Sequence, residues 1–238
     1  MITALVVGAT GYTGREVVRE LRARGIATVA HVRPDSRALA EIEPLFRTLG
    51  ATVDRTPWQA DELRAMLTRV RPDLVFALLG TTKARARAAA RAGRDPATES
   101  YEAVDYGLTS LLLRSIVDVG LAPRFLYLSS AGVNDATTHP YLVARARMER
   151  ELRASGVPFT IARPSFITGP DRSERRFAER VGARVADAAL ALAGALGARR
   201  LRDRYRSTDA RTLARGLVRH ALDPESAGLT LEGESLRG

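Results

Sequence analysis

A chain of 238 residues can bury a full core as one large domain, or as a domain carrying a small lobe. The absence of cysteine removes disulfide frameworks, thiolate metal sites and cysteine nucleophiles. A net charge of +10 does not make nucleic acid an expected partner, because the arginines run along the whole chain and form no aromatic-interleaved patch.

Ala4-Leu5-Val6-Val7 reads as a buried strand that delivers the chain into Gly8, Gly11 and Gly14. A helical pattern follows, with Val17, Val18 and Leu21 on one stripe and Arg15, Glu16, Arg19 and Arg22 elsewhere. Glycines at this spacing permit a tight turn, let a pyrophosphate approach the backbone, and let helix and strand pack closely. The N–H groups and positive dipole of the helix start favour an anion. A strand before and a helix after are the context that dinucleotide binding requires, so Gly8, Thr10, Gly11, Tyr12, Thr13 and Gly14 are the first candidate cofactor contacts. Met1 runs almost directly into the strand, so a secretory signal is not expected and the cytoplasm is the expected compartment.

The same Gly-Ala-Thr-Gly-Tyr-Thr-Gly-Arg run also resembles the start of acylphosphate reductases related to semialdehyde dehydrogenases. Those enzymes need a cysteine for their thioester, and this chain has none.

Further strands are expected at Thr28–Val32, Thr52–Asp54, Leu74–Leu78, Arg124–Leu128 and Thr160–Ala162. Helical patterns fall near Gly14–Arg24, Ala38–Leu49, Ala60–Val70, Tyr101–Val119 and Tyr141–Ala154. This alternation predicts an α/β fold with a doubly wound parallel sheet, a Rossmann fold, with ligands at the carboxyl ends of the strands. It spans residues 1–164. After Pro164 the alternation stops, and residues 165–238 read as a small substrate-side lobe on the same sheet, with a helix near Asp209–Leu222 and a short strand Leu229–Glu232. Within that lobe Asp171–Arg180 reads either as a lid over the substrate or as a solvated loop entering a helix. The alanine-rich run Val185–Ala198 carries one charge, Asp187, and at 14 residues is too short to span a bilayer, so a buried helix is expected and no membrane. His31, His139 and His220 show no metal-ligand spacing, and no metal site is expected.

The strand ends carry the remaining candidates. The second strand runs out through Arg33, with Arg37 one turn later and Asp35 displaced from the strand end. An acidic residue there accepts a bond from the ribose 2′-hydroxyl, whereas arginine accommodates a 2′-phosphate in a bidentate geometry. The expected cofactor is therefore NADP in preference to NAD. In an arginine-rich chain, a merely solvated arginine is the competing reading. Asp54, ending the third strand, stands where an adenine amino group could be met. Leu79, Gly80 and Thr81 follow the fourth strand, beside the expected diphosphate and ribose. Each alone would be an ordinary turn; their placement at successive strand ends makes them candidates together.

The fifth strand ends Leu128-Ser129-Ser130-Ala131-Gly132, and Tyr141-Leu142-Val143-Ala144-Arg145 follows. Here the chain resembles the short-chain dehydrogenase/reductase superfamily. Within it the likeness is to atypical, NmrA-like members, especially the Tat-interacting-protein-type oxidoreductases. The segments that carry it are Leu79-Gly80-Thr81-Thr82, Val104-Asp105-Tyr106, Ser129-Ser130-Ala131-Gly132, Tyr141-(x)3-Arg145-(x)3-Glu149 and Arg163-Pro164-Ser165 through Arg175, covering residues 1–175 in family order. The resemblance implies that Tyr141 donates a proton to a substrate carbonyl and that Ser130, assisted by Ser129, hydrogen-bonds the same oxygen. A carbonyl receiving hydride builds alkoxide character and needs a donor and a proton source. The family pattern has lysine where this chain has Arg145. Arginine keeps the charge that could favour a phenolate but relays no proton readily. Three readings of Tyr141 and Arg145 stay open: a working reductase, a cofactor-binding protein with degraded catalysis, and structural helix residues. The leading expectation is an NADP(H)-dependent oxidoreductase acting on a carbonyl or activated double bond of a small-molecule substrate. Its alternative is a non-catalytic NmrA-like nicotinamide redox sensor, with isomerase or epimerase chemistry third.

Overall fold

The computed structural model describes residues 1–36, 38–165, 167–168 and 208–237. Arg37, the Asp171–Arg180 segment and the Val185–Ala198 run lie outside these residues.

Parallel strands covered on both faces must be apolar throughout. β1 (Thr3–Val7) and β4 (Leu74–Ala77) meet that demand, and only Thr3 among their residues is not buried. Successive side chains of β1 alternate between two cores: Ala4 and Val6 enter one, Leu5 and Val7 the other. Phe76 and Leu126 follow the first core, while Val75, Phe125 and Tyr127 follow the second.

The remaining strands are β2 (Ala27–His31), β3 (Thr52–Asp54), β5 (Arg124–Leu128), β6 (Phe159–Arg163), β7 (Ile167–Thr168), β8 (Thr208–Asp209) and β9 (Thr230–Glu232). Among the described residues the main sheet has seven strands, all parallel, in the order β3-β2-β1-β4-β5-β6-β9, and β7 pairs with β8 separately. Helices α1 (Tyr12–Ala23), α2 (Leu39–Thr48), α3 (Ala60–Val70), α4 (Lys83–Arg91), α5 (Thr109–Asp118), α6 (Pro140–Ala154) and α7 (Ala210–Leu222) connect them. This is the expected doubly wound Rossmann-like fold. The chain steps outward from β1 to β3, then returns to β4 on the other side of β1. The reversal opens a crevice at the carboxyl ends of β1 and β4.

Two helical stretches depart from expectation. Tyr101–Val119 is not one α-helix: Tyr101–Leu108 is π-type and passes into α5. The wider turns accompany an inward-pointing carboxylate, Asp105, which has 0% exposure. α4 gives little apolar signal, because its arginines alternate with alanine and only Ala89 is buried.

Residues 208–237 join the main body. α7 packs against α1, β9 extends the sheet beside β6, and Leu213, Leu217 and Leu231 share a core with Val17 and Leu21. Asp209 caps α7, accepting from the amides of Arg211 and Thr212.

Candidate functional site

The turn between β1 and α1 is built on close backbone approach. Gly8 has φ of +79°, and a side chain there would meet Leu78 O at 2.6 Å. A Cβ on Gly14 would lie 2.3 Å from Gly8 O and 2.8 Å from Ala9 Cα, so helix and turn touch through the glycine itself. Gly11 is the N-cap of α1; no side chain caps it, and the first turn carries no acidic residue. A helix start left this way offers its amides and dipole to an anion.

That helix start opens on a cavity of about 370 Å³. Gly8, Thr10, Gly11 and Tyr12 line it from the first turn, Arg33 from the end of β2, and Leu79, Gly80 and Thr81 from the end of β4. The structure thus gathers eight of the sequence candidates from three strand ends. Thr13 and Gly14 lie in the buried first turn of α1, behind the lining. Asp54 is engaged elsewhere: its carboxylate accepts from the Thr56 amide at 2.9 Å and pairs with Arg69 at 2.6 Å. It is not a lining residue.

Other lining residues are not among the sequence candidates. His31 ends β2 and lies against Trp58, edge to face, with ring centroids 5.1 Å apart. Its Nε2–H donates to Thr56 O at 2.7 Å, and burial lowers its pKa, so the ring is neutral at neutral pH. Among the described residues, Trp58 Nε1 is a buried donor without a hydrogen-bond partner. Glu99, from the 3₁₀ turn Pro96–Glu99, lies 3.6 Å from Arg33 Nη2 and accepts a long bond from Thr81 Oγ1 at 3.4 Å. Arg85 lines the mouth from the first turn of α4. Trp58 was the most findable, as a lone tryptophan just beyond a strand end.

Ser130, Tyr141 and Arg145 stand beside this cavity and do not line it. Ser130 is half-buried beyond β5 and donates to Ala131 O at 3.2 Å. Tyr141 lies in the first turn of α6, its ring 5.3 Å from that of Tyr101. The Arg145 guanidinium lies 5.3 Å from the centroid of the Tyr141 ring. Among the described residues, the bonds of that guanidinium all go inward. It pairs with Asp105 Oδ1 at 2.6 Å and donates to Leu128 O at 2.6 Å, Leu79 O at 2.9 Å and the Tyr127 hydroxyl at 3.3 Å. Asp105 Oδ2 accepts the Thr81 amide at 3.0 Å. The pair therefore ties α6 to the loop after β4 that lines the cavity. A Cβ on Gly80 would come within 2.9 Å of Arg145 Nη2, so the loop passes directly over the guanidinium.

Burial opposes both charges of this pair. The Asp105 carboxyl is raised chiefly by desolvation, with the Arg145 charge as the largest opposing influence. Desolvation also works against the Arg145 cation, but Tyr127, Tyr141 and Asp105 outweigh it and its pKa is raised. The Tyr127 hydroxyl is pushed up to about 12 by burial. Ser129 is committed to a second buried group, donating to Glu149 at 2.6 Å. Arg163 grips the same carboxylate through Nε at 2.8 Å and Nη2 at 2.7 Å, and Arg153 adds a second cation. Burial would raise Glu149, but these bonds, led by Arg163 and Ser129, hold its pKa below the usual carboxylate range. Ser129 thus commits its hydroxyl proton to Glu149, where the family resemblance has it assisting Ser130.

The fold order, the uncapped helix start and a cleft across the switch point define a nucleotide-binding α/β protein of the dinucleotide type. The NAD(P)H-binding family matches residues 8–193, well over half of the chain, and the protein belongs to that family. Among named relatives, Protein FMP52, mitochondrial, of Coccidioides immitis is 29% identical over 190 residues, covering 75% of this chain and 71% of the relative. A solved structure described as a candidate NAD-dependent epimerase/dehydratase from Bacillus halodurans superposes with TM-score 0.68 at 21% identity, covering 98% of this chain and 95% of the other. The structure described as AtPrR2 with NADP+ and (+)pinoresinol gives TM-score 0.65 at 16% identity, covering 97% and 69%. At these identities both share the fold. Among the described residues no helix is long and apolar enough to cross a membrane, and no cluster of acidic or histidine side chains has the makings of a metal site.

Proposed function

We propose that this protein is an NADP(H)-dependent oxidoreductase that reduces a carbonyl or activated double bond of a small molecule, in the cytoplasm. The observation that carries the reading is the uncapped start of α1 facing a cavity that Arg33 also lines. The residues present suit the cofactor. Gly8, Thr10, Gly11 and Tyr12 would cradle the diphosphate at the start of α1, and Arg33 would meet a 2′-phosphate. His31 and Trp58 supply a neutral aromatic wall, with Trp58 Nε1 as an unused donor. When bound, the nicotinamide supplies the hydride.

In this chain Tyr141 is the candidate proton donor and Ser130 the candidate hydrogen-bond donor to the substrate oxygen. Arg145 acts as a positioning residue, holding Tyr141 through its ring and the 79–81 loop through Leu79 O and Asp105. The structure described as AtPrR2 with NADP+ and (+)pinoresinol holds NADP+ on the same fold, which supports NADP(H) as the cofactor. The one tryptophan lines the cavity, so quenching of Trp58 fluorescence on titration with NADPH tests the reading directly. Saturable quenching by NADPH at lower concentration than by NADH is expected; no quenching by either refutes it.

A second reading, a non-catalytic nicotinamide redox sensor, is favoured by the inward commitment of the Arg145 guanidinium to Asp105, Tyr127, Leu79 and Leu128. Tyr141→Phe separates the two. A reductase loses turnover about 100-fold or more while keeping cofactor affinity. A sensor keeps both its affinity and its response.

A further inference from the structure

We infer that Glu99 is a specificity-determining residue of the cofactor cavity, its buried carboxylate opposing the 2′-phosphate that Arg33 attracts. The inference rests on the reading of that cavity as a nicotinamide-cofactor site.

Glu99 closes the turn Pro96–Glu99, which is anchored by Asp95 accepting from the Ala97 amide at 2.8 Å. The turn thrusts the carboxylate into the cavity with only 8% of the side chain exposed. Arg33 stands between two carboxylates, Asp35 Oδ1 and Glu99 Oε1, each at 3.6 Å. Neither distance is that of a strong charge-assisted hydrogen bond, so the guanidinium retains donor capacity for a ligand. The two carboxylates differ in setting. The Asp35 side chain is 65% exposed and its field is screened by water. Glu99 is buried against Thr81, and its field reaches into the cavity with little loss.

An adenosine ribose beside Arg33 therefore meets a cation and a weakly screened anion together. A 2′-phosphate gains the Arg33 contact and suffers repulsion from Glu99. A 2′-hydroxyl carries no charge to repel and can donate to a carboxylate. Cofactor preference then depends on the balance of the two side chains, and Arg33 alone does not set it. Glu99→Gln keeps the shape and the Thr81 contact while removing the charge.

The test is the equilibrium affinity for NADPH and NADH, followed by Trp58 fluorescence and by calorimetry, in wild type, Glu99→Gln and Arg33→Ala. Glu99→Gln is expected to tighten NADPH by about tenfold and to change NADH by less than about threefold, as expected for one weakly screened charge at close range. Glu99→Ala, which removes charge and bulk together, must move the NADPH-to-NADH ratio the same way. An unchanged ratio in the variants, or a shift toward NADH, overturns the role of Glu99. Failure of the underlying reading looks different: wild type then binds neither cofactor, or Arg33→Ala weakens both equally.

Discussion

Replacing Arg145 with methionine leaves Asp105 in the same apolar setting with no counter-ion. The carboxylate has 0% exposure and its partner 4%, so water cannot take the place of the guanidinium. Breaking a buried pair from one side costs about 3–5 kcal/mol. The carbonyls of Leu128 and Leu79 also lose a charged donor, which adds roughly 1 kcal/mol or more. A total near 4–6 kcal/mol is a large share of the ~5–15 kcal/mol that holds a domain folded. The loss must also depend on pH. Burial already raises the Asp105 carboxyl, and Arg145 is the largest influence holding it down. Without Arg145 the folded-state pKa rises further above the unfolded value of about 3.9. A raised carboxyl favours the folded state at low pH and disfavours it progressively as pH climbs through the folded pKa. Urea denaturation of Arg145→Met at pH 5 and pH 8 should thus show the smaller loss at pH 5. Asp105→Asn in the same background should recover part of the stability. A loss below about 1 kcal/mol, or one equal at both pH values, refutes the account of Arg145 as the counter-ion that makes Asp105 tolerable.

Gly14→Ala places a methyl 2.3 Å from Gly8 O, against backbone that can yield only if α1 shifts. A loss of about 1–3 kcal/mol in urea denaturation and a clear loss of NADPH affinity are expected together; wild-type affinity would remove the helix start from the site. Glu149 is held below its ordinary pKa of 4.5, so its stabilisation is present above that value and lost as pH falls through the folded pKa. Glu149→Gln should cost about 2–4 kcal/mol at pH 7 and flatten the acid limb of a stability-against-pH curve; parallel curves for variant and wild type would contradict this. Arg33→Ala should weaken NADPH by about tenfold or more and leave NADH nearly unchanged in a calorimetric titration; equal losses would sink the 2′-phosphate assignment.

The features read without a structure are those set by near neighbours in the chain. The apolar run Ala4–Val7, the glycines at 8, 11 and 14 and the amphipathic stripe after them specify strand, turn and helix through local periodicity and backbone freedom. The same logic placed the strands within a residue or two and so gave the sheet its parallel, doubly wound character. Local pattern gave no warning of α4, because an arginine–alanine helix with one buried residue has almost no stripe to detect. The π-type turn around Asp105 was equally hidden, since its apolar spacing passes for α-helix.

What the tertiary structure alone decided is which charges meet. Arg145 finds Asp105 from 40 positions away, and Glu99 reaches Arg33 only because α4 returns the chain to the cavity wall. Asp54, a reasonable cofactor contact by position, spends its carboxylate on Arg69 and the Thr56 amide instead. Secondary structure follows from backbone and side-chain sterics that a short window contains. The partner of a buried charge follows from desolvation, which does not exist until the distant segments have closed around it.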